Sequence, residues 1–172
     1  IPLDIQNKEI EIKDLKKYKF YPKDIKEKKI EEKVFRKIVN FLDKSKRPVL
    51  IAGNGIHTSS SERIFKKVLR YLNNIPVLTS WNAKDLFENK DNKFIGCFGL
   101  FGDRASNFTI QNSDLVISLG SRLDTRVTGG NPASFARNAK KIVIDVDKEE
   151  LGKKRGLKID VKIRSDIKNF LK

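Results

Sequence analysis

The sequence predicts an α/β domain: a parallel sheet covered by helices on both faces, in three layers α/β/α. Short, continuously apolar runs suit strands buried on two sides. Amphipathic stretches separate them, as crossover helices do. Several runs end in glycine or carboxylate residues, and ligands bind at that C-terminal edge of open α/β sheets. The 172 residues suit one domain with a real core, or one domain plus a short arm.

Residues 1–29 read as an arm, because Pro2 and Pro22 break regular structure and no apolar period is sustained. Residues 30–172 form the domain. Ile30, Val34, Ile38, Phe41 and Leu42 recur at helical spacing, predicting a helix over 30–43. Pro48 to Ala52 is a strand that ends in Gly53-Asn-Gly55. Ser59, Ser60 and Ser61 are candidate N-caps for a helix whose inner face is Ile64, Val68, Leu69 and Leu72. Asn74 and Pro76 mark a break before a second short strand, 76–79. Phe94 to Gly96 is either a brief strand or a loop. Asp103 is placed to cap a helix reaching about Gln111. Asp114 to Leu119 is the clearest strand, ending at Gly120 before a polar loop, 121–132. Lys141 to Asp145 is a strand, a short helix starts at Lys148, an apolar strand lies within 157–163, and a last helix starts at Asp166.

Composition bounds the partners. The chain begins at Ile1 and contains no methionine, which points to a processed or excised piece. A lone Cys97 offers no disulfide framework, so a reducing cytoplasm is expected. No apolar run approaches the roughly 20 residues that cross a bilayer, so no membrane is expected. The formal net charge of +15 raises nucleic acid as a partner. The excess lysines are scattered, however, and the densest stretch, Lys8 to Lys37, is interleaved with Glu9, Glu11, Asp14, Asp24, Glu27, Glu31 and Glu32. Such mixing makes a solvated face, and no nucleic acid is expected.

Four constellations could carry chemistry. Gly53 and Gly55 follow a strand; they either let backbone approach a phosphate at a helix start or make a tight turn. Gly96, Gly99 and Gly102 are spaced to lie flat against a ring or phosphate chain, or to pack a crossover. Arg122 and Arg126 leave a strand end with Asp124 between them, as phosphate-binding forks or as a structural clamp. Asp145 and Asp147 follow a buried strand, where an acid can accept from ribose hydroxyls, or Asp147 can cap a helix. No third carboxylate or histidine is placed with them for a metal. His57, the only histidine, has no evident nucleophile or carboxylate partner, and Cys97 sits among apolar neighbours; neither is expected to be catalytic.

In this order, Arg47-Pro-Val-Leu-Ile-Ala-Gly53, Ile75-Pro-Val-Leu-Thr79, Gly96-Cys-Phe-Gly-Leu-Phe-Gly102, Ser113-Asp-Leu-Val-Ile-Ser-Leu-Gly-Ser-Arg-Leu-Asp124 and Ile144-Asp-Val-Asp147 resemble the central domain of thiamine-diphosphate enzymes of the acetolactate synthase type. Ile1-Pro-Leu-Asp-Ile-Gln6 is similar to the end of that family's preceding pyrimidine-binding domain, which makes 1–29 an interdomain linker. The resemblance implies a six-stranded, parallel, Rossmann-like sheet. It implies an FAD or ADP-type nucleotide lined by Gly53, Gly55, Thr79, Gly99, Gly102, Gly120, Arg122, Asp124, Arg126, Asp145 and Asp147. Thiamine diphosphate and magnesium would be held by the pyrimidine- and diphosphate-binding domains of a full-length homodimer or homotetramer, so no catalytic residue is expected here. Asn54, Phe101 and the loop Thr128 to Pro132 depart from the family's usual residues. The competing readings are an FAD- or NAD-binding module of another family, such as an electron-transfer flavoprotein or sirtuin-like domain, and a basic nucleic-acid-binding domain.

Overall fold

A computed structural model describes residues 3–17, 30–72, 75–154 and 156–172. Pro2, Pro22 and Asn74, which mark breaks in the sequence, lie outside the described residues. Six strands form the sheet: β1 Pro48–Ala52, β2 Val77–Thr79, β3 Phe94–Cys97, β4 Leu115–Leu119, β5 Lys140–Asp145 and β6 Val161–Arg164. They stand in the order β3-β2-β1-β4-β5-β6, and every neighbouring pair is parallel. The chain therefore builds outward from β1 to one edge, returns to the middle, and builds outward again from β4.

Alternate residues of each strand serve opposite faces, which is why the strands read as unbroken apolar runs. Leu50, Ala52, Leu115, Ile117, Leu119, Ile142 and Ile144 face one layer, where Ile38, Ile56, Phe65, Leu69 and Ile167 close over them. Val49, Ile51, Val116 and Val143 face the other, against Phe98, Ile110, Leu123, Phe135 and Leu151. Burying each such large side chain contributes about 1.5–3 kcal/mol. Helices α2 Glu32–Lys44, α3 Gly55–Thr58, α4 Glu62–Tyr71 and α8 Ile167–Phe170 cover the first face; α5 Arg104–Gln111 and α7 Lys148–Gly152 cover the second. The arm carries a four-residue helix, α1 Leu3–Gln6, and every residue from Leu3 to Lys17 is exposed.

Asp114 joins the two halves at their N-terminal edge. Its carboxylate accepts from the Ser45 hydroxyl, from Lys46 N–H at 2.8 Å and from Arg47 N–H at 3.0 Å, fixing the entry to β1 beside the entry to β4. Burial works to raise this carboxyl, and the hydrogen bonds outweigh it and hold it below its usual range.

Several local expectations change. Ser61 precedes α4, but its hydroxyl donates back to the Ile56 carbonyl at 3.0 Å instead of capping. Asp103 precedes α5, yet its carboxylate reaches across to the Cys97 N–H at 2.8 Å. The last strand is confined to Val161–Arg164, while Leu157 and Ile159 pack on the second face as irregular chain. Its burial alternates: Val161 and Ile163 are buried, Lys162 and Arg164 exposed. At the other edge, β3 slips register, with Val77 opposite Phe94 but Leu78 opposite Gly96.

Candidate functional site

The switch between the two halves falls between β1 and β4, where open sheets of this kind hold their ligands. Here the floor of the switch is filled by glycine. Gly53 N–H donates to Leu119 O at 2.9 Å and Gly55 N–H to Gly120 O at 3.0 Å. A Cβ on Gly53 would lie 2.3 Å from Gly120 O, and Gly120 itself has φ +61°. The glycines exist because two backbones meet there.

Above this floor opens a cleft of about 210 Å³, lined by Asn54, Ser80–Asn82, Gly120–Asp124, Arg126 and Val127. One wall begins with Leu123, whose φ of +47° is costly for a branched side chain, by about 1–3 kcal/mol. Its side chain is only 2% exposed and anchors in the second-face core. That anchor leaves its neighbours Arg122 and Asp124 exposed at the cleft. Asp124 then caps the short helix α6, Thr125–Thr128, by accepting from Arg126 N–H at 2.9 Å.

The two arginines differ. Arg122 is tied to Glu150 of α7, which also takes Lys153. Burial works to raise the Glu150 carboxyl, but the Arg122 and Lys153 bonds outweigh it and leave it below its usual range. Arg126 is exposed, and among the described residues its guanidinium makes no hydrogen bond or ion pair. The opposite wall is a 3-10 turn, Trp81–Leu86, directly after β2. Phe101 reaches over to Trp81, with ring centroids 5.4 Å apart.

The cleft thus gathers Gly120, Arg122, Asp124 and Arg126, with Gly53 and Gly55 in the floor against Gly120. It does not gather the rest. Gly99 and Gly102 shape a loop that docks behind α6: Leu100 N–H donates to Arg126 O at 2.8 Å, and a Cβ on Gly99 would meet that oxygen at 2.8 Å. Thr79 is fully buried; among the described residues its hydroxyl has no hydrogen-bond partner of ordinary geometry, and its cross-strand neighbour Cys97 is a weak donor. Asp145 is buried and accepts from Asp147 N–H at 2.9 Å; burial pushes its carboxyl up, and the Asp147 and Glu150 charges add to this. Asp147 caps α7 through Glu149 N–H at 2.9 Å, so helix capping is the role the structure gives it.

Sequence reasoning missed Ser80, Trp81, Asn82 and Glu150. Trp81 carried a signal, being the only tryptophan and lying two residues past a strand end. His57 also differs from expectation. Its ring nitrogens sit 2.9 Å from Glu62 and 3.0 Å from Asp85, two carboxylate partners that spacing did not reveal. Among the described residues, no group of three or more His, Cys, Asp or Glu is assembled for a metal ion. None of their helices is long and apolar enough to cross a membrane.

A sheet in this order, with glycine turns and two arginines at its switch point, defines the class: a doubly wound, Rossmann-like α/β domain. Residues 35–172 match the family described as "Thiamine pyrophosphate enzyme, central domain", and the chain belongs to that family. It is 36% identical over 137 residues to a probable acetolactate synthase large subunit of Methanococcus aeolicus, covering 80% of this chain and 22% of that protein. The corresponding protein of Methanocaldococcus jannaschii is 32% identical over 180 residues, covering 100% of this chain and 29% of the relative. The acetolactate synthase large subunit of Lactococcus lactis is 36% identical over 143 residues, covering 83% and 24%. The chain thus spans less than a third of the length of these relatives.

Proposed function

We propose that this domain holds the phosphate-bearing part of FAD or an ADP-type nucleotide in the cleft between β1 and β4. The observation that carries the reading is Arg126, an exposed guanidinium that lines the cleft without an internal anion. Arg122 shares the wall, positioned by Glu150. Guanidinium forks match phosphate oxygens better than any other side chain. At about 210 Å³ the cleft is smaller than the roughly 300–1,000 Å³ of small-molecule pockets, so the residues present fit part of a nucleotide. The remainder would be enclosed by neighbouring domains.

We place the domain within a full-length thiamine-diphosphate-dependent, acetolactate synthase-like enzyme of the cytoplasm, a transferase or lyase acting on 2-keto acids by decarboxylation and carboligation. Residues 1–29 are read as the linker from a pyrimidine-binding domain. That domain and a diphosphate-binding domain would hold thiamine diphosphate and magnesium in a homodimer or homotetramer. Thiamine diphosphate supplies the carbanion chemistry. In this reading the residues of this domain bind and orient, and the proton transfers of that reaction are assigned to the other domains. The test is a titration of the full-length enzyme with FAD and with ADP. Binding that Arg126→Gln weakens about tenfold or more, the worth of a charged hydrogen bond, is expected. A full-length enzyme that neither carries flavin nor binds ADP would sink the proposal.

A further inference from the structure

His57 stands where three elements meet. It lies in α3 directly after the Gly53–Gly55 turn, Glu62 opens α4, and Asp85 belongs to the 3-10 turn that forms one wall of the cleft. Its Nδ1 is 2.9 Å from a Glu62 oxygen and its Nε2 is 3.0 Å from an Asp85 oxygen. A neutral imidazole has one N–H and one lone pair, so it can satisfy only one of two carboxylates; the imidazolium satisfies both. The geometry is that of a charged bridge.

The bridge bears on the cleft through the shape of the turn. Residues three apart in a 3-10 helix eclipse one another, so Asp85 shares a side with Asn82, next to Trp81. Both Trp81 and Asn82 line the cleft. We infer that His57 is a pH-sensitive positioning residue, whose protonated ring clamps the Trp81–Leu86 turn to α3 and α4 and sets the pose of the cleft wall. Loss of the proton frees the Asp85 side first, since Asp85 is 76% exposed and Glu62 40%. The clamp works whichever ligand the cleft takes.

Glu62 from α4 and Asp85 from the turn are the charged groups within hydrogen-bond reach of the ring; Arg63 and Lys66 share α4, Lys84 shares the turn, and α8, which also packs on α3, carries Lys168 with Asp166 just before it. The Glu62 hydrogen bond raises the imidazole above its ordinary value of 6.5, burial opposes this, and Asp85 adds to it. A raised folded-state value means that the bridge's contribution is complete below about pH 6.5 and is lost as pH climbs through the folded value.

His57 and Trp81 are the only histidine and tryptophan in the chain, so one imidazole and one indole resonance report the two ends of the clamp. Proton NMR of the 172-residue chain from pH 5.5 to 9 should show the Trp81 indole shift moving with the His57 midpoint, above 6.5. In Asp85→Asn, at an exposed site with little risk to folding, the His57 midpoint falls toward 6.5 and Trp81 stops responding. In His57→Gln, Trp81 is indifferent to pH. A wild-type indole that ignores the His57 titration overturns the inference, and so does a Trp81 response that survives in either variant.

Discussion

Gly55 and Gly120 meet backbone to backbone: a Cβ on Gly55 would lie 2.6 Å from the Gly120 Cα, and one on Gly120 would lie 2.5 Å from the Gly55 Cα. Sixty-five residues of sequence separate them, and the contact closes the floor of the cleft.

Gly120→Ala should cost about 3 kcal/mol, combining a left-handed backbone with a collision against main-chain atoms. Gly129 offers the control. Its φ of +85° and ψ of 175° lie in a region kept almost wholly by glycine, but among the described residues nothing lies within 4 Å of its Cβ position, so Gly129→Ala should cost only the conformational part, about 1–3 kcal/mol. Urea unfolding of both variants checks this; equal losses would mean that the Gly55 contact carries no weight.

Asp114→Asn should lose about 1–3 kcal/mol at neutral pH, by weakening three hydrogen bonds to the approach to β1. The wild-type carboxyl is lowered by folding, so its contribution is present above the unfolded pKa and disappears as pH falls through the folded one. Wild type and variant should converge in stability at acid pH, read from urea midpoints at pH 7 and pH 3.

Phe101→Ala should leave the thermal midpoint nearly unchanged, because Phe101 is 75% exposed and an aromatic pair is worth about 0.5–1.5 kcal/mol even when buried. Trp81 emission should move to the red as its ring partner leaves. An unchanged spectrum would show that the rings do not pair in solution.

Glu150→Gln should weaken ADP binding about tenfold by releasing Arg122 from its anchor. The fold should survive, since the Arg122 side chain is 66% and that of Lys153 43% exposed, and both charges can turn to water. Calorimetric titration of the full-length enzyme, with a thermal melt of each protein, separates lost affinity from lost structure.

The sheet was legible because strands covered on two faces must be apolar throughout, as β1 and β4 are. The long helices were legible from their single apolar stripe. The elements of four to six residues, α3, α6 and the Trp81–Leu86 turn, are too short to show a period, and two of them line the cleft. Gly53, Gly55 and Gly120 were visible as glycines, but their reason was not: spacing along a chain cannot show that one glycine makes room for another. Glu150 read as one more surface charge on a short helix, whereas tertiary packing leaves its side chain 4% exposed beneath Arg122. The carboxylate partners of His57 were hidden for the same cause, one being five residues on and the other in a distant turn.

The two outer strands of the sheet have a consequence for how the molecule behaves in a crowd. An open sheet offers unpaired amides at both borders, an invitation to add a stranger's strand. One border is spoiled by the register slip and by Gly96, whose φ of +138° breaks the ladder that a newcomer would copy. The other alternates buried Val161 and Ile163 with exposed Lys162 and Arg164, so an approaching strand meets cations where it seeks a greasy surface. The lysine-rich composition that carries no evident recognition signal along the chain thus has a use at this border: it discourages a further strand from pairing with β6.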